Sequence, residues 1–427
     1  MRIAYLTGEY PRATDTFIQR EVATLREQGV EVHTFSVRRT GDEHMVGTEQ
    51  KQERDRTFYI LPPNPLNLLL AHLGLLLSSP SRYFRAIKLA WSTSQPGLQG
   101  GIYQLFYFLE AGILAQQILQ RNISHLHNHF PDSSGSVAML AAELGGFTFS
   151  FTMHGPYIFF EPHRWRIDEK IKRALFVACI SYYCRSQGMI FVPTDKWNRM
   201  HIIHCGIDPA LFTSVAHQEW SKRLLYVGRI AAAKGLPILL ESLVSLKRSH
   251  PEVILTVVGD GPDRIALEQM ATQLGLNEHV NFVGYQSQAE VRRYIQESDV
   301  FVMSSFAEGI PVVLMEAMAA GLPVVATQIA GISELVENDI NGYLVPPGDV
   351  AILADRVAKL LADQQLRNQL GKAGRAKVQQ DFNIEHEVTW LRQVMGAALQ
   401  GKVESLRPQQ LKPPVATSTP ETAPTHA

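Results

Sequence analysis

The first half of the chain alternates short apolar runs with amphipathic stretches. Apolar runs rich in aromatic and β-branched residues predict four strands, at residues 2–8, 30–39, 124–130 and 147–155. The stretches between them predict helices, the clearest at residues 15–29 and 134–144.

The second half repeats the alternation more regularly. Strands are predicted at residues 224–230, 253–259, 280–285 and 299–305, and helices at 237–247, 262–274 and 288–297. Strands that alternate with helices of this length indicate doubly wound parallel sheets, which bind ligands at the carboxyl ends of their strands. We therefore expect an α/β protein with two Rossmann-like domains that face a cleft.

Composition narrows the class of protein. A chain of 427 residues is long enough for two or three domains, and 45% hydrophobic residues supply sizeable cores. The formal net charge of −1 argues against nucleic acid as a partner. Three cysteines without CxxC spacing predict reduced thiols in a cytoplasmic protein. The apolar run after Met1 is too short for a signal peptide, and no run reaches the ~18–20 residues that span a bilayer.

The strongest candidate for a functional site is Glu-Gly-Ile-Pro-Val-Val-Leu-Met-Glu at residues 308–316. It follows a predicted strand, and Pro311 is suited to be the first residue of a helix. The main-chain N–H groups of Gly309, Ile310, Val312 and Val313 would then form an anion site at the helix N-terminus. Glu308 just before the helix and Glu316 about two turns into it can contact a sugar and a ribose. The alternative is a surface helix with two solvated acids.

Two cations follow the strand at 224–230. Arg229 and Lys234 lie five positions apart at a strand-to-helix turn, where both can face one diphosphate. Cations held there would stabilise the charge that grows on a leaving phosphate. The alternative is a pair of exposed basic residues without a ligand.

These segments resemble a known family. Residues 308–316, together with Ser333–Asp349, Leu224–Leu243 and Leu255–Arg264, resemble the retaining glycosyltransferases of family 4, which have the GT-B fold. The first half resembles a narrower group, the glycosyltransferases of colanic-acid and amylovoran type that assemble extracellular polysaccharide. The segments that carry this second resemblance are Glu9–Glu21, His125–Phe130, Ser150–Pro156, Phe176–Arg185 and Ile203–Phe212.

The resemblance implies a domain plan. Residues 1–213 would form the acceptor-binding domain and residues 214–384 the domain that binds the nucleotide-sugar, with a linker near 208–218. Residues 385–400 would form a crossover helix that packs back on the first domain. The Pro/Thr/Ala-rich residues 405–427 are expected to be disordered.

The resemblance also implies roles for individual residues. His154 would hydrogen-bond the donor sugar near the reacting centre, and Arg229 and Lys234 would replace a divalent metal. The residues implied as catalytic are His154, Glu308, Arg229 and Lys234. Those implied to bind the donor are Gly8, Gly309, Ile310, Val312, Glu316 and Tyr285, with no metal site and no cofactor besides the nucleotide-sugar substrate.

Two features of the first half leave alternatives open. Many relatives have Gly-Gly where this chain has Gly8-Glu9, so Glu9, Asp15, Thr16 and Arg20 are alternative contacts for acceptor hydroxyls or an acceptor diphosphate. His125, His127 and His129 alternate on one strand face, which suggests zinc. Same-face neighbours on a strand are ~7 Å apart and no fourth ligand is evident, so we favour structural or cleft-lining roles.

Residues 66–91 predict a contact with a membrane. Leu66–Leu77 is leucine-rich, and Arg82, Arg85 and Lys88 follow at spacing three with aromatic residues between them. Such a segment suits a helix that lies on an anionic membrane surface. The alternative is a helical hairpin buried in the first domain.

The resemblance, together with these residues, thus implies a metal-independent, retaining glycosyltransferase at the cytoplasmic face of the cell membrane. It would move a hexose from a nucleoside-diphosphate sugar to a polyprenyl-diphosphate-linked oligosaccharide. One alternative is a sugar-nucleotide epimerase of the same architecture, which would need further acid and base carboxylates. The other is a non-catalytic nucleotide-sugar-binding subunit, which would be expected to have lost the basic pair or Glu308.

Overall fold

The computed structural model describes residues 1–45, 47–213 and 222–402. Its strands form two parallel sheets of seven and six strands. The first sheet contains β1 Arg2–Glu9, β2 Glu31–Arg38, β3 Phe58–Tyr59, β4 His125–His129, β5 Thr148–Met153, β6 Val177–Cys179 and β7 Met200–Ile202. The second contains β8 Arg223–Val227, β9 Ile254–Val258, β10 Val280–Gly284, β11 Val300–Met303, β12 Val324–Thr327 and β13 Tyr343–Val345.

Helices cover both sheets. Those of the first half are α1 Thr16–Glu27, α2 Thr48–Arg56, α3 Pro65–Ser78, α4 Pro80–Thr93, α5 Leu98–Gln120, α6 Ser133–Gly145, α7 Tyr157–Phe160, α8 Pro162–Trp165, α9 Ile167–Arg173 and α10 Tyr182–Ile190. Those of the second half are α11 Leu236–Ser249, α12 Arg264–Gln273, α13 Gln288–Gln296, α14 Val312–Ala319, α15 Ile332–Leu335, α16 Val350–Ala362, α17 Gln364–Asp381 and α18 Ile384–Leu399.

The strand order confirms the predicted fold class. The first sheet has the order β3-β2-β1-β4-β5-β6-β7 and the second β10-β9-β8-β11-β12-β13. In each sheet the order reverses once along the chain, between β1 and β4 and between β8 and β11. Doubly wound sheets bind ligands beside such a reversal, at the carboxyl ends of the strands.

The last helix joins the two halves. α18 shares an apolar cluster with α1 and β1, in which Ile384, Val388 and Leu391 pack against Ile18 and Val22. Trp390 Nε1 also donates a hydrogen bond to the carbonyl of Ile202 at 3.2 Å. A helix at the end of the second half therefore packs on the first domain, as the family's crossover helix does. The predicted linker at 208–218 lies partly, and the predicted tail at 405–427 wholly, outside the described residues.

Residues 66–91 belong to α3 and α4, which contact each other, and α3 also packs on α5. The pair is only partly buried, because α3 exposes Leu66, Leu69, Leu70, Leu73 and Leu77. Within the described ranges, no helix is long and apolar enough to cross a bilayer. Cys179, Cys184 and Cys205 are free and buried.

Candidate active site

The loop after β8 is held against the end of β11, its neighbour at the chain reversal. Gly235 has a positive φ of 61°, and a Cβ there would lie 2.1 Å from the Ser304 carbonyl oxygen. The Ser304 hydroxyl donates to the Gly235 carbonyl at 2.9 Å, and the Phe306 N–H donates to the Ala233 carbonyl at 2.8 Å. The tight approach requires glycine and fixes the position of Lys234.

Lys234 and Glu308 form an ion pair at the centre of this arrangement. Lys234 Nζ lies 2.6 Å from Glu308 Oε1, which also accepts a hydrogen bond from the Ser305 hydroxyl at 2.7 Å. Burial raises the pKa of nearby Tyr226 well above its usual range, and the Glu308 carboxylate adds to this shift. Arg229 is exposed, and its guanidinium has no partner among the described residues.

The helix after Glu308 begins one residue later than predicted. α14 starts at Val312, and Pro311 precedes it with extended backbone angles of −70° and 123°. The prediction that Pro311 is the first helical residue is therefore wrong. Glu316 consequently lies about one turn into the helix, not two.

The N-terminus of α14 presents unused donors. The main-chain N–H groups of Gly309, Ile310, Val312 and Val313 donate no hydrogen bond to any described residue. Helix N-termini with free N–H groups favour anions. Lys234, paired with Glu308, and Arg229 lie on the neighbouring loop, so free N–H groups and basic side chains meet at this end of the second sheet.

Gly309 also touches the first domain. A Cβ on Gly309 would lie 2.4 Å from the His154 carbonyl oxygen, and one on Gly331 would lie 2.8 Å from the Gly309 carbonyl oxygen. The main chain after β5 therefore packs directly against the loop before α14. The two chain reversals lie across one cleft from each other.

A second contact across the cleft occupies Glu316. Arg20 Nη2 of α1 lies 2.8 Å from Glu316 Oε1, and both side chains are largely shielded from solvent. Arg20 Nη1 is buried and has no hydrogen-bond partner among the described residues. The residue predicted to bind ribose is thus paired with an arginine from the other domain.

His154 belongs to a buried hydrogen-bonded chain. Its Nε2 lies 2.9 Å from His129 Nδ1, and its Nδ1 lies 3.6 Å from Cys205 Sγ. His129 Nε2 lies 3.1 Å from Glu21 Oε1, which also accepts the Tyr5 hydroxyl at 2.7 Å. The ring of His154 points into the first domain, and its main-chain carbonyl faces Gly309. A role for its ring at the donor sugar stays a prediction.

Burial and neighbouring charges shift the pKa values of two groups in this hydrogen-bonded series. Burial lowers the pKa of His154 well below its usual value, so the imidazole is neutral. Burial alone would raise the pKa of Glu21, but His129 reverses that effect and the net shift is downward. An ionised Glu21 accepts a hydrogen bond from His129 Nε2–H, and the second ring nitrogen of His129 faces the neutral ring of His154.

The histidines of β4 are occupied by hydrogen bonds. His125 and His127 contact the hydroxyl groups of Thr148, Ser150 and Thr152 on β5 at 2.7–2.8 Å. Ligand atoms of Glu21, His127 and His129 lie within 4.8 Å of one another, which is compatible with a metal ion. Both ring nitrogens of His127 and of His129 already have hydrogen-bond partners. The absence of a metal requirement stays a prediction.

The remaining predicted contacts are spread over the cleft edge. Gly8 lies near the end of β1, and no atom would lie within 4 Å of a Cβ there. Glu9 ends β1, and Asp15 and Thr16 begin α1 beside Arg20. Tyr285 follows β10 and is 66% exposed.

Three residues of the site are not predicted by the sequence. Glu21 follows Arg20 on α1, and no local pattern pairs it with a histidine. Ser305 ends a predicted strand, and no local pattern pairs it with Glu308. Glu334 accepts the main-chain N–H groups of Tyr182 and Tyr183 at 2.8 Å each, which ties α15 to the N-terminus of α10. The feature that marks Glu334 is its position opposite a helix N-terminus. That contact exists only when both domains are folded.

Two doubly wound domains that face a cleft, with a final helix returning to the first domain, define the GT-B fold. Among solved structures, sucrose-phosphate synthase from Thermosynechococcus elongatus superposes with a TM-score of 0.73 at 21% identity, covering 94% of this chain and 100% of that one. HepE of Anabaena in complex with UDP and glucose superposes with a TM-score of 0.72 at 18% identity, covering 93% and 100%. At these identities the likeness concerns the fold.

Sequence comparison is more specific. Residues 209–377 match the family model of glycosyl transferases group 1, so the second half carries a domain of that family. The amylovoran biosynthesis glycosyltransferase AmsK of Erwinia amylovora is 35% identical over 201 residues, which is 45% of this chain and 48% of the relative. The putative colanic acid biosynthesis glycosyltransferase WcaL of Escherichia coli is 36% identical over 182 residues, or 40% and 45%. The chain spans about half the length of the curated relatives it matches.

Proposed function

We propose that this protein is a retaining glycosyltransferase that moves a hexose from a nucleoside-diphosphate sugar to a saccharide acceptor. The observation that carries the proposal is the anion-binding surface at the second chain reversal. There, free N–H groups of α14 adjoin Lys234, Arg229 and Glu308. Phosphates, a ribose and a transferable sugar occur together in a nucleotide-sugar, and each has a suitable partner at this surface.

The chemistry follows from the charges. When the bond from the sugar C1 to the diphosphate oxygen breaks, its electron pair stays on that oxygen. Lys234, Arg229 and the α14 N-terminus stabilise this negative charge, while Glu308 lies beside the sugar, where positive charge develops. The acceptor hydroxyl attacks C1 from the same face and gives its proton to the leaving phosphate. The configuration at C1 is retained.

A donor screen tests the proposal. Thermal-shift measurements with UDP-, GDP- and ADP-sugars should show stabilisation of the wild type by at least one donor, and a smaller shift for Lys234→Ala. Conversion of that donor without an acceptor would favour the epimerase alternative. Binding without any turnover would favour a nucleotide-sugar-binding subunit.

No metal is needed in this mechanism, because the cations and the helix N-terminus already neutralise the leaving group. Transfer should therefore persist when EDTA is added to the assay. Loss of activity in EDTA, with recovery on Mn²⁺ or Mg²⁺, would contradict the family-4 mechanism.

We further propose that the acceptor is linked to a polyprenyl diphosphate and is met at the cytoplasmic face of an anionic membrane. Residues 57–109 contain three basic residues and no acidic one. The apolar platform, which we define as the exposed Leu, Ile and Phe residues of α3 and of the first half of α5, adjoins them; its members are Leu66, Leu69, Leu70, Leu73, Leu77, Leu98, Ile102, Leu105 and Phe106. Exposed apolar surface without acids suits a helix pair seated in the headgroup region.

The basic residues are less available for membrane contact than the sequence predicts. Arg85 Nε lies 2.7 Å from Glu143, and Arg82 Nη1 donates to the Gly145 carbonyl at 3.3 Å. Two of the three cations are thus engaged with α6, while Lys88 is exposed. The proposed membrane contact therefore rests mainly on the apolar platform.

A further inference from the structure

A cavity of about 330 Å³ lies between the first turns of α5 and residues 161–166, the segment that contains α8. Its lining includes Ser136 in the first turn of α6, which directly follows β4. Residues 161–166 likewise follow β5. The cavity therefore lies towards the carboxyl ends of the strands of the first sheet, the edge at which such sheets bind ligands.

The cavity wall combines aromatic rings and amides. α5 contributes Gln99, Tyr103 and Tyr107 at helical spacing, and Trp165 faces them from the other wall. Sugar rings present apolar C–H faces together with hydroxyl groups. Aromatic rings pack on the former, and amide groups both donate to and accept from the latter. The volume is within the range of small-molecule sites.

The charges of the cavity are already paired. Arg164 Nη1 lies 2.9 Å from Glu161, and Arg166 binds both carboxylate oxygens of Asp168 at 3.0 Å. A diphosphate would have to compete with these carboxylates for the arginines. An uncharged ligand with many hydroxyl groups meets no such competition.

The wall is also held in place. Arg166 has a positive φ of 46°, which is costly for a residue other than glycine. Its Nη1 donates to the Ser92 carbonyl at 2.7 Å, which joins this segment to α4. Gln104 Nε2 donates to the Thr93 hydroxyl at 2.7 Å and joins α5 to the same helix. A site formed in advance loses less conformational entropy when a ligand binds.

The cavity adjoins the apolar platform. Tyr103 lines it and is 47% exposed beside Ile102 of the platform. A saccharide carried by a lipid in the platform would enter here.

We infer that this cavity is the acceptor subsite and holds an uncharged saccharide unit of the acceptor. The inference rests on the proposed glycosyltransferase function and names the part of the first domain that selects the substrate. Gln99→Trp should block the cavity, because Gln99 is exposed at its wall and the larger side chain extends into the space. Gln120→Trp, at an exposed position near the end of the same helix, is the matched control.

The probes are neutral mono- and disaccharides of gluco, galacto and manno configuration, observed by saturation-transfer NMR. The wild type and Gln120→Trp should bind at least one probe, and Gln99→Trp should bind it at least ~10-fold more weakly. Trp165→Leu should weaken the same probe, because it removes one aromatic wall.

Two results would overturn the inference. One is that the wild type binds no probe, or that Gln99→Trp binds the probes as well as the wild type does. The other is binding of inorganic pyrophosphate that Gln99→Trp abolishes, which would make the cavity a diphosphate site. Thermal shifts with nucleotide-sugars are measured in parallel on every variant. If the wild type binds no nucleotide-sugar, the result counts against the proposed function. If it binds a nucleotide-sugar but no saccharide, the result counts against the acceptor subsite alone.

Discussion

At the scale of single residues, the two acids of the 308–316 segment have different partners. Glu308 is bound by Lys234 and Ser305 within its own domain, whereas Glu316 is bound by Arg20 across the cleft. Glu308 is therefore tied to the loop that would contact the diphosphate. The ion pair of Glu316 can form only when the first domain is close to the second.

These surroundings predict different kinetic effects. Glu308→Gln should lower kcat by ~10²–10³, because it removes a charge beside the sugar where positive charge develops in the transition state. Glu316→Gln should chiefly raise the donor KM, because ribose contacts are alike in the ground and transition states. Steady-state kinetics with the donor found in the screen measure both. The reverse pattern would show that the two roles are exchanged.

Glu110 gives a prediction for stability. Burial raises its pKa from 4.5 to about 7, although Arg38 opposes the shift. Between these values the folded protein holds a proton that the unfolded chain has released. The free energy of unfolding contributed by Glu110 therefore falls as pH rises from about 4.5 to 7.

Glu110→Gln removes this titration. When the pH is raised from 5 to 8, the melting temperature of the variant relative to that of the wild type should increase by ~2 °C or more. Thermal melts of both proteins at the two pH values give the comparison. Equal changes of melting temperature with pH in the two proteins would contradict a raised pKa of Glu110.

At the scale of elements, two segments differ from their sequence-based description. α14 begins after Pro311, so the free N–H groups belong partly to the preceding loop. The leucine-rich segment forms α3, which packs on α5 and still exposes five leucines. Its apolar residues are too many for one buried face, and this excess is the physical basis of the platform.

The platform makes a prediction about membranes. Replacing Leu69, Leu73 and Phe106 by Gln should weaken binding to anionic vesicles at least ~10-fold, because each side chain loses apolar contact with the headgroup region. Replacing Arg82, Arg85 and Lys88 by Gln should weaken binding less, and high salt should reproduce that smaller effect. Vesicle flotation measures both.

Ile265→Gln is the control, because Ile265 is more exposed than any of these three residues and lies in the second domain, outside the platform. Donor binding should be unchanged in all these variants. Equal flotation of the apolar triple variant and the wild type would rule out the platform as a membrane contact. A change in oligomeric state on substitution would instead assign this face to a second copy of the chain.

At the scale of the whole molecule, the two domains touch at the cleft as well as through α18. The contacts at the cleft include the Arg20–Glu316 ion pair, the Glu334 contact with the N-terminus of α10, and the approach of Gly309 to the His154 carbonyl. Two of these three contacts involve residues of the proposed donor site or their direct neighbours. Donor binding and the relative position of the domains should therefore be coupled.

Arg20→Ala tests this coupling. A charged hydrogen bond of this kind contributes ~1.5–3 kcal/mol, so its loss should favour separation of the domains and increase the radius of gyration in solution scattering. Arg2→Ala is the control, because Arg2 pairs with Glu31 within the first domain at 2.8 Å. Identical scattering of Arg20→Ala and the wild type would show that the pair does not hold the domains together.

The sequence by itself determined the parts of the protein that depend on local patterns. The alternation of strands and helices predicted both sheets, because a buried parallel strand and its crossover helix each carry their own periodicity. The glycines and charges around Lys234 and Glu308 predicted an anion site, because a strand-to-helix turn is built from neighbouring residues. The structure brings these two residues together as an ion pair.

The tertiary structure alone decided which distant residues meet. Nothing in the sequence pairs Arg20 with Glu316, 296 positions away, or Glu21 with His129, 108 positions away. Such pairs form only when strand order and domain docking bring separate loops to one edge. The sequence likewise did not determine whether α3 is exposed, because the same leucine-rich sequence is compatible with a covered and with an uncovered helix. Tertiary packing leaves that face open and places the cavity of α5 beside it.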